Sequence, residues 1–471
     1  MKMTRLSKGL LFALGLLAFL ASQISDEIPV CGERPLSVSV PDDYPTIQSA
    51  INNAVSGDTV FVSAGLYYER VTVNKTLTLV GDNWETVLDG SSMGTLIRVT
   101  ADNVMITGFK LQNSGWKWGR AGVEVYDADI CVIEDNFVYL TCHQIRLVQS
   151  QGSKVVSNVV SAPSKPFPQS AYGIRLENCT DCLVIDNEIS NNIGGIHLEG
   201  AVNCTATRNY VFQNSQGIRL YSPCVNNKIV GNTVFNNTND GMFVALPGNA
   251  TFLQNMCYHN NFVNNSQPFI GEIAGCVWDD GYEGNYWTAY QGQDNSRDGI
   301  GDTPYVFGKE RDRYPLMGKH FEYQVSHHEK TYEVELICNF VVLGFHYNKT
   351  NDSNSTAITL NTESGAGNTL FCRATFPVEL LGRPYSVEVD GSRNPDTMLN
   401  ELSRSNSTHV ILYFTHSGSA HTILLIGTSA AEDKSLTIPY LVIAAVLGTG
   451  LAVAVLILWR GRRKHAKEHR P

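Results

Sequence analysis

Gly173-Ile-Arg-Leu, Gly195-Ile-His-Leu and Gly217-Ile-Arg-Leu stand 22 residues apart in the middle of the chain. Gly122-Val-Glu-Val and Gln144-Ile-Arg-Leu precede them and Gly241-Met-Phe-Val follows, so successive starts are 22, 29, 22, 22 and 24 residues apart. Fourteen residues after each of the first four starts comes an asparagine, Asn136, Asn158, Asn187 and Asn209, with Asn232 one place late. Apolar residues fill positions +1 and +3 (Ile174/Leu176, Ile196/Leu198, Ile218/Leu220) and +11 and +16 (Val184/Ile189, Ala206/Val211). A unit of this length with period-two alternation predicts a parallel β-helix whose coils stack about 4.8 Å apart. The +14 asparagine is expected at a bend, in a left-handed conformation, bonding along the stack.

The 471 residues carry 11 cysteines and a net charge of −10, which argues against nucleic acid as a partner. Residues 1–21 hold Lys2, Arg5 and Lys8 before an apolar run, as in a signal peptide or an uncleaved anchor. Residues 436–459 contain no charge and are long enough to span a bilayer, and 460–471 form a basic tail. The positive-inside rule then predicts a single-pass type I plasma-membrane protein with its bulk outside. Ten Asn-x-Ser/Thr sequons fit that exposure. Cys131, Cys182 and Cys204 share the inward +9 column, where Cys182 and Cys204 either pair or stack as thiols.

Between the termini the reading divides the chain into a capped β-helix over 36–270, an aromatic and glycine-rich segment over 271–320 and a β-sandwich stalk over 325–430 that Cys338 and Cys372 could staple. A short helix is expected near Thr46–Ala54 to cover the open end of the solenoid. Trp278, Tyr286, Trp287 and Tyr290 are expected to plug the other end. The expected fold class is therefore all-β: a right-handed parallel β-helix, a small antiparallel β-sandwich and one transmembrane helix.

Four stretches carry a family resemblance. Ser39-Val-Pro-Asp-Asp-Tyr-Pro-Thr-Ile-Gln-Ser-Ala-Ile with Gly57-Asp-Thr-Val resembles the start of right-handed β-helix proteins of carbohydrate-active type. The coils resemble the NosD-like β-helix family. Trp278-Asp-Asp-Gly-Tyr-Glu-Gly-Asn-Tyr-Trp287, Asp298-Gly-Ile-Gly-Asp-Thr-Pro-Tyr305 and Asp312-Arg-Tyr-Pro-Leu resemble the cap of archaeal surface members. Phe371-Cys-Arg, Pro384-Tyr-Ser-Val-Glu-Val-Asp-Gly and the 408–428 stretch resemble a membrane-proximal β module. The resemblance implies a link to copper delivery, but eight methionines and scattered histidines form no soft-ligand cluster in the sequence.

The outward columns carry the chemistry. Position +2 reads Glu124, Arg146, Arg175, His197, Arg219, Phe243, and position +4 reads Tyr126, Val148, Glu177, Glu199, Tyr221, Ala245. A basic line beside carboxylates and tyrosines is either a salt-bridge ladder or a site for an acidic polysaccharide. The two longer coils insert Trp116, Lys117, Trp118 and Arg120, and Lys165 and Phe167, just before this strand; their rings and charges would rim such a site. The expected ligand-binding set is Arg146, Arg175, Arg219, Tyr126, Trp116, Trp118, Lys165 and Phe167. The enzymatic alternative is a lyase or epimerase using His197 or Tyr221 as base, or a hydrolase pairing Glu177 with Glu199. No pectinesterase, polygalacturonase or pectate lyase signature accompanies them. Asp294, Ser296, Asp298 and Asp302, with Ile300 between, match oxygen-ligand spacing of a calcium loop, although Tyr305 stands where such a loop has glutamate. A structural Ca²⁺ and a metal-free turn network both fit that spacing. Non-catalytic glycan recognition or adhesion in the envelope is the function these features favour, with a purely structural envelope component as a third alternative.

Overall fold

The computed structural model describes residues 37–428 except 116, 118, 163–170, 222, 246–253, 272–275, 351–354, 364–369, 394–396 and 417–421. The expected signal peptide, membrane helix and basic tail lie outside the described residues. Among the described residues no helix is long and apolar enough to cross a membrane.

The first unit is a parallel β-solenoid of right-handed type with about 10 turns. Three parallel sheets of 11, 9 and 10 strands run along it, each strand bonded to its counterparts one coil away. The register is the one the repeat predicts: Ile174 faces Ile196 and Ile196 faces Ile218, with Leu176, Leu198 and Leu220 beside them. All six side chains are buried, as are Val184, Ile189, Ala206 and Val211. Each coil can bury this face only against its neighbours, so the core is a set of columns.

The asparagine column is a continuous chain of hydrogen bonds. Asn158 donates from its peptide N–H (2.9 Å) and its Nδ2 (3.0 Å) to the single Oδ1 of Asn187. Asn187 does the same to Asn209, and Asn209 to Asn232. The ladder continues through Asn260 to Asn285, whose N–H and Nδ2 meet Asp312 Oδ2. Each Nδ2 also reaches backbone carbonyls, for Asn187 those of Val155 and Ile185. The side chains lie inside the solenoid and satisfy the peptide groups that a bend leaves unpaired. The left-handed conformation falls one residue earlier than expected, on Asp135, Ser157, Asp186 and Arg208. That residue makes the corner, which frees the asparagine to point inward.

A second ladder runs Asn192, Asn214, Asn237, Asn265. Sequons and ladders are segregated: Asn74, Asn178, Asn203, Asn236 and Asn264 are exposed.

Both ends of the core are closed. The helix Ile47–Asn53 has Thr46 as N-cap, Ser49 completing the capping box, and buries Ile47, Ala50 and Ile51. Glu69 accepts from the peptide N–H groups of Ile47 and Gln48, a favourable place for a carboxylate. At the other end Trp287 stacks on Phe262 at 4.4 Å, and Trp278 meets Phe307 edge to face at 4.9 Å. Tyr290 is partly buried against the same cluster.

The second compact unit begins at Tyr323, with Leu336–Asn339 grouped with the first. It is built on two antiparallel sheets, of five and four strands. Its strands include Lys330–Cys338, Ser355–Glu363, Leu370–Pro377, Gly382–Val389, His409–His416 and Thr422–Thr428. Lys319–His327, Val341–Lys349 and Met398–Glu401 are additional strands. Cys338 and Cys372 are both buried, and Cys182 and Cys204 are buried free thiols rather than a disulfide.

Asn187→Ala removes the acceptor of two Asn158 donors and orphans the acceptors that Asn187 serves. Each buried unsatisfied group costs about 1–3 kcal/mol, so the substitution should destabilise the solenoid by about 3 kcal/mol or more in denaturant unfolding. An unchanged midpoint would mean that the ladder follows the fold without stabilising it.

Candidate functional site

The 9-stranded sheet carries the outward strip. Its strands include Ala121–Tyr126, His143–Val148, Tyr172–Glu177, Gly194–Glu199, Gln216–Tyr221 and Asp240–Ala245. Glu124 faces Arg146, Arg146 faces Arg175, and the line continues through His197, Arg219 and Phe243. Glu177 faces Glu199, which faces Tyr221. Arg146, Arg175, Arg219, Tyr126, His197, Glu177, Glu199 and Tyr221 are thus brought onto one face. Trp116, Trp118, Lys165 and Phe167 lie outside the described residues. Lys117 and Arg120 are exposed.

The glycine that opens each unit interrupts the strand alternation. A Cβ on Gly173 would sit 2.5 Å from Ile189 Cγ2 and 2.7 Å from the Gly195 carbonyl oxygen, so this position points inward and has no room for a side chain. Glycine and the next residue both face the core, which turns the residue before the glycine outward. Tyr172, Gln216 and Asp240 occupy that place, as does His143 before Gln144. All four join the site, and sequence alternation counted from the glycine passes over them. Their column was readable: three polar side chains and a tyrosine precede the repeat starts.

On the sheet, charges alternate along a closed ladder. Glu124 takes Arg98 at 3.0 Å and Arg146 at 2.7 Å. Arg146 reaches Glu177 at 2.8 Å. Arg175 Nη2 lies 3.3 Å from Glu177 and 2.6 Å from Glu199, which also meets His197 Nε2 at 3.4 Å. Three guanidinium groups therefore face three carboxylates. Rings are interleaved with them: Arg98 lies over Tyr126 at 4.9 Å, and Arg175 over Tyr172 at 5.5 Å. Arg219 lies near Tyr172, Tyr221 and Phe243 at 5.9, 5.4 and 4.9 Å.

Burial sets the protonation states. It lowers His143 to about 3, helped by Arg175 and Arg146. It lowers His197 to about 4, with Glu199 opposing and Arg175 and Arg219 adding to the effect. Glu199 is held below the ordinary carboxylate range by its hydrogen bond from His197 and by Arg175. The strip therefore keeps neutral imidazoles beside an ionised Glu199 at neutral pH.

Elsewhere, Asp294 Oδ1 accepts from the Asp298 N–H and Oδ2 from the Gly299 N–H. Asp302 Oδ2 accepts from Asn295, and Ser296 Oγ reaches Asp294 Oδ1 at 3.2 Å and Asp302 Oδ1 at 3.3 Å. The Ile300 N–H donates to Asp298 Oδ1. The core thiols sit within donating distance of carbonyls: Cys131 of Ala101, Cys182 of Ser150, Cys224 of Tyr221. Burial raises the Cys131 thiol and pushes Cys224 to about 11.

A stability profile follows from these shifts. The two imidazoles are depressed from 6.5, so the unfolded chain binds protons that the folded chain refuses, and stability falls as pH drops below 6.5. Asp312 acts oppositely: burial raises it to about 6, so acidification toward 5 favours the folded state there. Two groups against one leave a net loss approaching about 1.4 kcal/mol per pH unit between pH 6 and 5. Urea unfolding at pH 7, 6 and 5 should show it, and a flat or rising profile would mean the imidazoles are not kept neutral.

No curated protein matches the chain in sequence. Among solved structures, the Dettilon tailspike protein (gp208) aligns with a TM-score of 0.36 and 12% identity over 83% of this chain and 94% of that one. Pectate lyase Pel9A aligns at 0.40 and 13%, over 53% and 82%. The periplasmic alginate epimerase AlgG aligns at 0.38 and 16%, over 47% and 59%. Likeness at this level identifies no shared site. A family model described as periplasmic copper-binding protein (NosD) matches residues 51–292, just over half of the 471 and most of the solenoid, and the chain belongs to this NosD family.

Proposed function

We propose that the chain is a cell-surface recognition protein whose 9-stranded sheet binds an acidic polysaccharide of the envelope. The observation that carries this reading is the interleaving of Arg98, Arg175 and Arg219 with Tyr126, Tyr172, Tyr221 and Phe243 along one sheet face. Guanidinium groups bind carboxylate or sulfate, aromatic faces take the apolar face of a sugar ring, and the coil repeat offers both at regular intervals. The proposal includes export by residues 1–21, a type I anchor at 436–459 with the tail inside, an archaeal surface setting and 325–430 as a stalk; the charge and hydropathy patterns support these.

Recognition is favoured over catalysis because the carboxylates are engaged with each other's cations. A hydrolase needs one carboxylic acid kept protonated. Glu199 is instead held low, and Glu177 and Glu199 both lie on Arg175 Nη2. At Cys131 and Cys224 copper, which the family description names, does not fit: a copper ligand must be a thiolate, and burial keeps both as S–H groups facing carbonyls. No step is derived through it.

Titration calorimetry of the purified full chain against polyuronate, sulfated and neutral polysaccharides tests the reading. Anionic polymers should bind, neutral ones should not, and salt should weaken the interaction. Affinity should stay flat from pH 5 to 8, since His143 and His197 titrate below that window. Arg175→Ala, which strips the shared donor from two carboxylates, should weaken binding about tenfold or more. Equal binding of neutral polymers would defeat the proposal, and release of shortened or unsaturated products would replace it with the enzymatic one.

A structural Ca²⁺ at Asp294, Ser296, Asp298, Ile300 and Asp302 is proposed on the convergence of Asp294 and Asp302 on one hydroxyl. Chelation of the purified chain should then lower its melting temperature by a few degrees, and Ca²⁺ should restore it. An unchanged melting curve would leave the loop as a turn network.

A further inference from the structure

Arg219 differs from every other arginine on the strip. Arg98, Arg146 and Arg175 each lie within 3.0 Å of a carboxylate. Arg219 has no such partner among the described residues. Its register neighbours are His197 on one side and Phe243 on the other, and Glu199, the nearest acidic column position, is taken by Arg175. Both hydrogen bonds of Arg219 leave from Nη1, to Tyr172 Oη at 3.0 Å and to Gln216 Oε1 at 3.4 Å. Nε is buried with no partner.

The nearest further acid does not neutralise it. Gln216 turns its Nε2 to Asp240 Oδ2 at 3.0 Å, so a neutral amide separates the two. Asp240 is thus engaged by the amide and not by the guanidinium. Arg219 ends the strip without a carboxylate contact, set among the rings of Tyr172, Tyr221 and Phe243. A half-buried guanidinium without a counter-ion is costly. Tyr172 and Gln216 hold its Nη1 corner and Nε is enclosed, so Nη2 is the donor left to a ligand. A charge-assisted hydrogen bond from such a donor to a carboxylate is among the strong ones.

We propose that Arg219, through Nη2, receives the carboxylate of a hexuronate residue, with Tyr221 and Phe243 flanking the sugar ring. This rests on the acidic-polysaccharide reading above and narrows it to uronates. Arg98, Arg146 and Arg175 then act as an internally neutral ladder that fixes the sheet face, and Arg219 supplies the guanidinium that no carboxylate of the ladder engages.

The test uses the full chain and three probes of equal length: an oligouronate, its carboxyl-reduced neutral counterpart and a sulfated neutral oligosaccharide. Arg219→Gln should weaken oligouronate binding about tenfold or more, and Arg219→Lys should recover only part of the loss because a single ammonium cannot both keep the Tyr172 and Gln216 bonds and reach the carboxylate. Lys228→Gln, an equal loss of charge at an exposed position on the 11-stranded sheet, should leave affinity within about twofold. The carboxyl-reduced probe should bind the wild type as weakly as the oligouronate binds Arg219→Gln. Full affinity in both Arg219 variants, with oligouronate binding to the wild type intact, would overturn the assignment of Arg219 while leaving the glycan reading standing. Arg219-dependent binding of the sulfated probe alone would overturn the carboxylate class. No binding of any probe to the wild type would overturn both.

Discussion

Everything in the solenoid depends on how a coil turns its corner without leaving peptide groups unpaired. A bend in a parallel stack exposes N–H groups that the sheets no longer serve, and burying them bare would cost more than a coil gains. The asparagine column removes that cost by accepting, with one amide oxygen, two donors from the coil before it. Because each amide also donates onward, a ladder needs an acceptor at its end, and Asp312 provides it while also taking the Trp287 indole N–H at 2.8 Å. The aromatic cap and the ladder are therefore one construction: the acid that finishes the amide chain also fixes a ring that closes the core.

Coil stacking at fixed register then fixes the functional face. Side chains at one repeat position stand in line whether or not their charges suit each other, so an arginine line needs carboxylates from the neighbouring column. Glu177 and Glu199 fill that need from the neighbouring column and Glu124 from the line itself, for three arginines in all. Arg219 is left with rings and amides, which makes the strip electrically asymmetric along its length. The inward glycine adds a third outward column and brings Tyr172, Gln216 and Asp240 beside the two that plain alternation predicts.

The repeat, the inward columns and the composition of the +2 and +4 columns were legible from the sequence because period-two alternation and a 22-residue unit map directly onto geometry. The exposed corner asparagines and the buried ladder asparagines were not separable by residue type; only the conformation one place earlier distinguishes them. The cysteines stayed ambiguous for a related reason. A shared inward column brings Cys182 and Cys204 near each other, but proximity in a core equally suits free thiols placed by carbonyls, and free thiols are what occurs.

The sequence alone determined the solenoid, its register and the chemical make-up of one face, since these follow from periodicity and from side-chain type. Only the tertiary structure decided which arginines are spent on carboxylates and which is not. That outcome depends on side-chain contacts between neighbouring coils and on an interruption of alternation at glycine, neither of which a one-dimensional pattern encodes.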